Sequence, residues 1–243
     1  METILELHDI QAGYTEDVDI LQGLDMQVQQ GTMTVVIGPN GAGKSTTLKT
    51  IFGFLHPKQG EIHFLDQRID ALDPYQIKNL GMSYIPQEIN IFRQLTVEEN
   101  LKMGGWIFRQ DKVRLENQLE RVYELFPILK DFRRRKANEL SGGQAKMLSI
   151  AKEVISEPHL ILVDEPTAAL APIIAQQTYE FLLITQEALN AAIILVDHHM
   201  EKAADLADYV YVLSLGRMVE QGPGHEFDVA RLREIIRQCL LAD

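Results

Sequence analysis

Over the first 35 residues apolar and polar positions alternate, with Ile4, Leu5 and Leu7, then Ile20-Leu-Gln-Gly-Leu24, then Met26 and Val28. A period of two predicts short antiparallel strands joined by turns. Thr34-Val-Val-Ile37 breaks the alternation with a continuous β-branched run, the pattern of a strand buried on both faces. Glycine-rich residues 38–43 end it, and Leu48, Ile51, Phe52 and Leu55 follow at helical spacing, so the order is strand, glycine loop, helix. Glu61-Ile-His-Phe-Leu65 reads as another strand, and mixed helix and loop is expected through Tyr84-Ile-Pro-Gln87. From Glu98 to Val154 helical periodicity dominates, with Leu119, Val122, Tyr123 and Phe126 as one stripe and Met147, Ile150, Ala151 and Val154 as another. Two buried-type strands follow, Leu160-Ile-Leu-Val163 and Ile193-Ile-Leu-Val196, separated by a helix near residues 174–189. Strand, helix, strand implies a parallel sheet. The expectation is one domain over residues 1–243, a helical subdomain inserted at about 88–155, and a C-terminal helix at about 226–241 carrying Val229, Leu232, Ile235, Ile236 and Leu240.

Composition narrows the function classes. At 46% hydrophobic over 243 residues the chain can bury a full core, while its apolar runs fall far short of the roughly 20 residues that cross a bilayer. The start Met1-Glu-Thr-Ile-Leu-Glu-Leu7 lacks the basic and apolar regions of a secretory signal, so a cytoplasmic protein is expected. A net charge of −12 argues against a nucleic-acid binder, which needs a basic face to neutralise phosphates. The basic run Arg133-Arg-Arg-Lys136 is read as a solvated loop, and Cys239 as a packing thiol.

The candidate chemistry begins at Gly38-Pro39-Asn40-Gly41-Ala42-Gly43-Lys44-Ser45, which satisfies G-x-x-x-x-G-K-[ST] between a strand and a helix. Glycines let backbone N–H groups curl around phosphate oxygens, the helix start adds partial positive charge, Lys44 reaches the β and γ phosphates, and Ser45 can ligate Mg²⁺. The fold class is therefore α/β, a P-loop NTPase (RecA-like) parallel-sheet core with an N-terminal antiparallel β subdomain and an inserted helical subdomain. Leu160-Ile-Leu-Val-Asp164-Glu165 places two carboxylates at the end of a buried strand, where α/β sheets bind ligands. In P-loop enzymes the first acid holds Mg²⁺ and the second takes a proton from attacking water, roles that fit Asp164 and Glu165. Ser141, Gly142, Gly143 and Gln144 open a helix and form a second anion site, because Ser caps the helix and the glycines expose N–H groups.

Leu140-Ser-Gly-Gly-Gln144, taken with the phosphate loop and the Asp-Glu strand, resembles the ABC ATPases, and the likeness runs from Leu5 to about Gly222. By that resemblance Tyr14 matches the aromatic that stacks on adenine, a contact type worth about 1–3 kcal/mol. Gln87 matches the glutamine that approaches Mg²⁺ and the attacking water, and His198 matches the histidine that contacts the γ-phosphate, with His199 beside it. Thr46 completes the nucleotide-binding set of Tyr14, residues 38–46 and 141–144, with ATP and Mg²⁺ as cofactors. Glu165, His198, Gln87 and Lys44 are the catalytic set, and Ser45, Gln87 and Asp164 the metal set.

The resemblance also implies a pair of cassettes, homodimer or heterodimer, peripheral on the inner face of the membrane. Transmembrane permease subunits and an external substrate-binding protein would be its partners. Ala169 and Ala171 depart from the glycine and aspartate that many relatives carry, which puts the cross-dimer loop in question. Ala12-Gly13-Tyr14, Ile91-Phe92, Leu95-Thr-Val-Glu-Glu-Asn-Leu101, Met147 and Leu170-Ala171-Pro172 resemble the cassettes of branched-chain or neutral amino-acid and urea-type importers. A lipopolysaccharide-exporter cassette shares the loop after the glutamine. A soluble ABC ATPase would carry two cassettes or a long coiled coil, and a nucleotide kinase has no use for residues 140–144.

Overall fold

The computed structural model describes residues 2–168, 170–197 and 200–241. The N-terminal alternation forms a ladder in which β1 (Thr3–Ala12) pairs antiparallel with β2 (Leu21–Gln29), Leu5 opposite Val28 and Leu7 opposite Met26. All five residues of β3 (Met33–Ile37) are buried, as a strand covered on both faces requires. After α1 (Lys44–Ile51), β4 (Gln59–Phe64) returns to β1 and β5 (Gln67–Arg68) closes an antiparallel sheet of order β2-β1-β4-β5.

The chain then builds α2 (Pro74–Asn79), β6 (Met82–Ile85), α3 (Val97–Gly104), α4 (Lys112–Leu125), α5 (Pro127–Asp131) and α6 (Gly142–Val154). It continues through β7 (Leu160–Asp164), α7 (Pro172–Leu189), β8 (Ala192–Val196), α8 (Met200–Leu206), β9 (Tyr209–Ser214), β10 (Arg217–Pro223) and α9 (Val229–Leu241). Residues 82–85 are a strand where mixed helix and loop was expected. Ser83 interrupts the apolar run there, yet it fits a buried strand because its hydroxyl donates to the Glu153 carbonyl at 3.1 Å. The C-terminal helix begins at 229 rather than 226, since residues 224–226 form a 3₁₀ turn and Asp228 accepts from the Arg231 N–H at 2.7 Å in the manner of an N-cap.

The second sheet has the order β10-β9-β3-β8-β7-β6, with β9, β3, β8, β7 and β6 all parallel. Strand alternation divides its side chains between two cores. Val35, Ile161 and Ile193 pack with Phe126 and Leu148 of the helical lobe, while Val36, Leu162 and Ile194 pack with Leu5 and Phe64 of the antiparallel sheet. The lobe and the small sheet thus clamp opposite faces of one central sheet.

An ion triad, with Glu153 and Lys152 buried and Lys78 half-buried, fixes the far end of α6. The Glu153 carboxylate lies 2.5 Å from Lys78 Nζ on α2 and 2.7 Å from Lys152 Nζ. Burial alone would push its pKa up, but the two ammonium groups override it and hold the carboxyl below its usual range. Glu153→Gln leaves these cations without a counter-charge, and a loss of about 3–5 kcal/mol is expected in urea unfolding. An unchanged midpoint would show that the triad does not anchor the helix.

Candidate nucleotide site

Parallel topology places the candidate residues in a row. Reading across the sheet, the carboxyl ends of β3, β8, β7 and β6 lead into residues 38–44, 197, 164–165 and 86–87. Ligands of open α/β sheets bind at that edge.

At the end of β3 the loop needs glycine for two separate reasons. A Cβ on Gly38 would stand 2.1 Å from the Leu213 carbonyl oxygen, and Gly43 has φ 103° at the N-cap of α1. Asn40, Gly41, Gly43, Lys44, Ser45 and Thr46 line an open pocket of about 360 Å³, with Ile20 and Glu165 closing its sides. Ala42 is buried beneath the loop and accepts from the Gly216 N–H at 2.9 Å. Lys44 folds back so that Nζ donates to the Gly38 and Pro39 carbonyls at 2.9 and 3.0 Å. Burial holds its pKa below the usual lysine value, while the charges of Glu165 and Asp164 oppose the shift. Phosphate oxygens would replace those carbonyls with full negative charge.

Asp164 is held from both sides. Ser45 Oγ donates to Oδ1 at 2.7 Å and the Tyr84 hydroxyl donates to Oδ2 at 2.8 Å. Burial, then the charge of Asp164 and this hydrogen bond, raise the Tyr84 pKa well above its ordinary value, so the phenol remains a donor. Tyr84 was not singled out from the sequence, and nothing in the linear pattern pairs it with Asp164. Glu165 follows with φ 42°, a positive value at a non-glycine residue, and its N–H donates to the Val196 carbonyl at 2.8 Å. Such backbone persists only where the surroundings fix it, and it clusters at functional sites.

The remaining candidates divide. Tyr14 is 60% exposed beside α1, its hydroxyl 3.4 Å from Lys49 Nζ, and it does not line the phosphate pocket. Gln87 is exposed just past β6, beside the strand that carries Asp164, and its side chain is not part of the Ser45–Asp164–Tyr84 cluster. Ser141 caps α6 in a reciprocal box: its N–H donates to Gln144 Oε1 at 3.0 Å, and its Oγ accepts from the Gln144 N–H at 3.4 Å. Gly142 has open space around a Cβ, whereas a Cβ on Gly143 would meet Ile174 Cδ1 at 2.8 Å. No residue of this turn lines the phosphate pocket. His198, His199 and Ala169 lie outside the described residues.

Comparison with known proteins meets this geometry. A family model described as ABC transporter matches residues 21–168. The chain belongs to that family. It is an ATP-binding subunit of an ABC transporter, a nucleotide-binding ATPase. It is 36% identical over 217 residues to a probable branched-chain amino acid transport ATP-binding protein, LivF, of Archaeoglobus fulgidus, covering 89% of this chain and 91% of that protein. It is 37% identical over 212 residues to the high-affinity branched-chain amino acid transport ATP-binding protein BraG of Pseudomonas aeruginosa, covering 87% and 89%. Among solved structures it resembles the ADP conformation of MJ1267, an ATP-binding cassette of an ABC transporter, with a TM-score of 0.85, 26% identity and full coverage of both chains. Among the described residues of this cassette no helix is long and apolar enough to cross a membrane.

Proposed function

We propose that two such cassettes, peripheral on the inner face of a membrane, close head to tail over ATP and drive permease subunits that take up branched-chain or neutral amino acids. The observation that carries the pairing is the separation within one chain: Ser141 and Gly142 at the start of α6 are exposed, while the phosphate pocket is lined without them. A second cassette supplies the missing side. Residues 38–46 cradle the phosphates, Tyr14 stacks on the adenine, and Ser141, Gly142, Gly143 and Gln144 of the other cassette close on the γ-phosphate. Ser45 and Asp164 offer hard oxygen atoms 2.7 Å apart and fit Mg²⁺, with Gln87 reaching toward it. The ion would neutralise charge on the phosphates.

Glu165 takes the proton from the attacking water, and His198 contacts the γ-phosphate. Loss of that phosphate removes the charge that joins the two cassettes, and they separate. The amino-acid class rests on the names of the similar proteins and on the motifs around residues 91–101 and 170–172. An external binding protein would deliver the substrate. In proteoliposomes holding the permease, substrate-loaded binding protein should stimulate ATP hydrolysis with leucine-like ligands and not with urea.

Ser141→Arg tests the pairing. A large cation on the cap blocks the partner surface and leaves the phosphate pocket intact. ATP binding is expected within about threefold of the parent and hydrolysis down by about a hundredfold, the scale of lost transition-state contacts. Parent-like hydrolysis would remove Ser141 from the site.

A further inference from the structure

Beneath the row of candidate residues lie two buried polar clusters that the proposed chemistry does not use. Lys146 of α6 is 1% exposed, and its Nζ lies 3.3 Å from the Gln87 carbonyl and 3.5 Å from that of Pro86. Asp197, immediately after β8 and 2% exposed, accepts at Oδ2 from Thr167 Oγ1 and from the Tyr179 hydroxyl, each at 2.9 Å. Thr167 and Tyr179 are themselves buried and lie 3.3 Å apart. Burial lowers the Lys146 pKa to about 8, and the charge of Asp197 opposes that shift.

The two clusters adjoin three candidate segments of the site. Thr167 sits inside the turn that holds Glu165, where the Ala168 N–H donates to the Glu165 carbonyl at 3.2 Å. Asp197 precedes His198 in the chain, and Lys146 lies on the helix that Ser141 caps. A buried ammonium and carboxylate are costly to hold there and stay only where geometry and further hydrogen bonds compensate them.

We propose that Lys146 and Asp197 are positioning residues for hydrolysis: Lys146 ties the Gln87 backbone to α6, and Asp197 fixes, through Thr167 and Tyr179, the strained turn that carries Glu165. This rests on the assignment of Glu165 and Gln87 to the hydrolytic site. Neither residue touches nucleotide in this scheme. Each acts by holding a neighbour where a displacement of about 1 Å can cost a hundredfold in rate.

The test measures kcat, KM for ATP and nucleotide affinity for Asp197→Asn, Lys146→Gln, the double variant and Thr167→Val. Each single charge variant is expected to lose about tenfold or more in kcat with nucleotide affinity within about threefold, a split that mere destabilisation does not give. The losses of the two single variants should add in the double variant, because each residue holds a different neighbour. Thr167→Val strands no charge and nearly preserves shape, so a lower kcat there supports the proposal even where a charge variant fails to fold. Single variants and Thr167→Val all within about twofold of the parent kcat, beside an arrested Glu165→Gln, would overturn the proposal and leave the site reading intact. Parent-like hydrolysis by Glu165→Gln would instead bring down the site reading itself.

Discussion

Glu165→Gln is expected to bind ATP as the parent does and to hydrolyse it about 10²–10⁴ times more slowly, the contribution of one positioned base. The amide keeps the size and most hydrogen bonds of the carboxylate but cannot take a proton from water. Glu165 borders the pocket without belonging to the loop proposed to cradle the phosphates, so affinity and rate should separate cleanly. Its φ of 42° and the bond from its N–H to the Val196 carbonyl are backbone features that the substitution leaves in place. Single-turnover hydrolysis with bound ATP measured by filtration checks both halves. A variant that turned over at the parent rate would hand the base role to another group.

Lys44→Ala should act on the other quantity. Its ammonium rests on the Gly38 and Pro39 carbonyls, partners that neutralise no charge, and burial already presses its pKa downward. A phosphate offers much stronger contacts, and charge-assisted hydrogen bonds are worth about 1.5–3 kcal/mol each. ATP affinity should therefore fall about tenfold to a hundredfold in calorimetry. Folding should survive, since removing a buried ammonium relieves a desolvation cost. Unchanged affinity would undo the phosphate-loop assignment.

What the sequence revealed and concealed follows from the physics of each element. Thr34–Ile37 and Leu160–Val163 were legible because strands covered on both faces need unbroken apolar runs, and each run leads directly into its chemical residues. β6 was hidden because four residues with a serine among them carry little periodicity, and the hydrogen bond that satisfies Ser83 comes from α6. β9 and β10 also went unread. The Tyr209–Ser214 run favours a strand, but its place beside β3 depends on a pairing with a far earlier segment. At the site, the phosphate loop and the Asp-Glu pair declared themselves by local spacing, whereas the clamp on Asp164 needs Tyr84 from a neighbouring strand. Lys146, Glu153 and Asp197 were the least visible. A charged residue in a linear pattern reads as solvent-facing, and only packing shows that these three are enclosed.

ATP-dependent pairing is the step on which the proposed mechanism turns. Light scattering after size exclusion, on Glu165→Gln with ATP and Mg²⁺, with ADP, and without nucleotide, measures it in one experiment. A dimer is expected with ATP and monomers in the other two conditions. A monomer with ATP demonstrably bound would contradict a site shared between two copies of this chain.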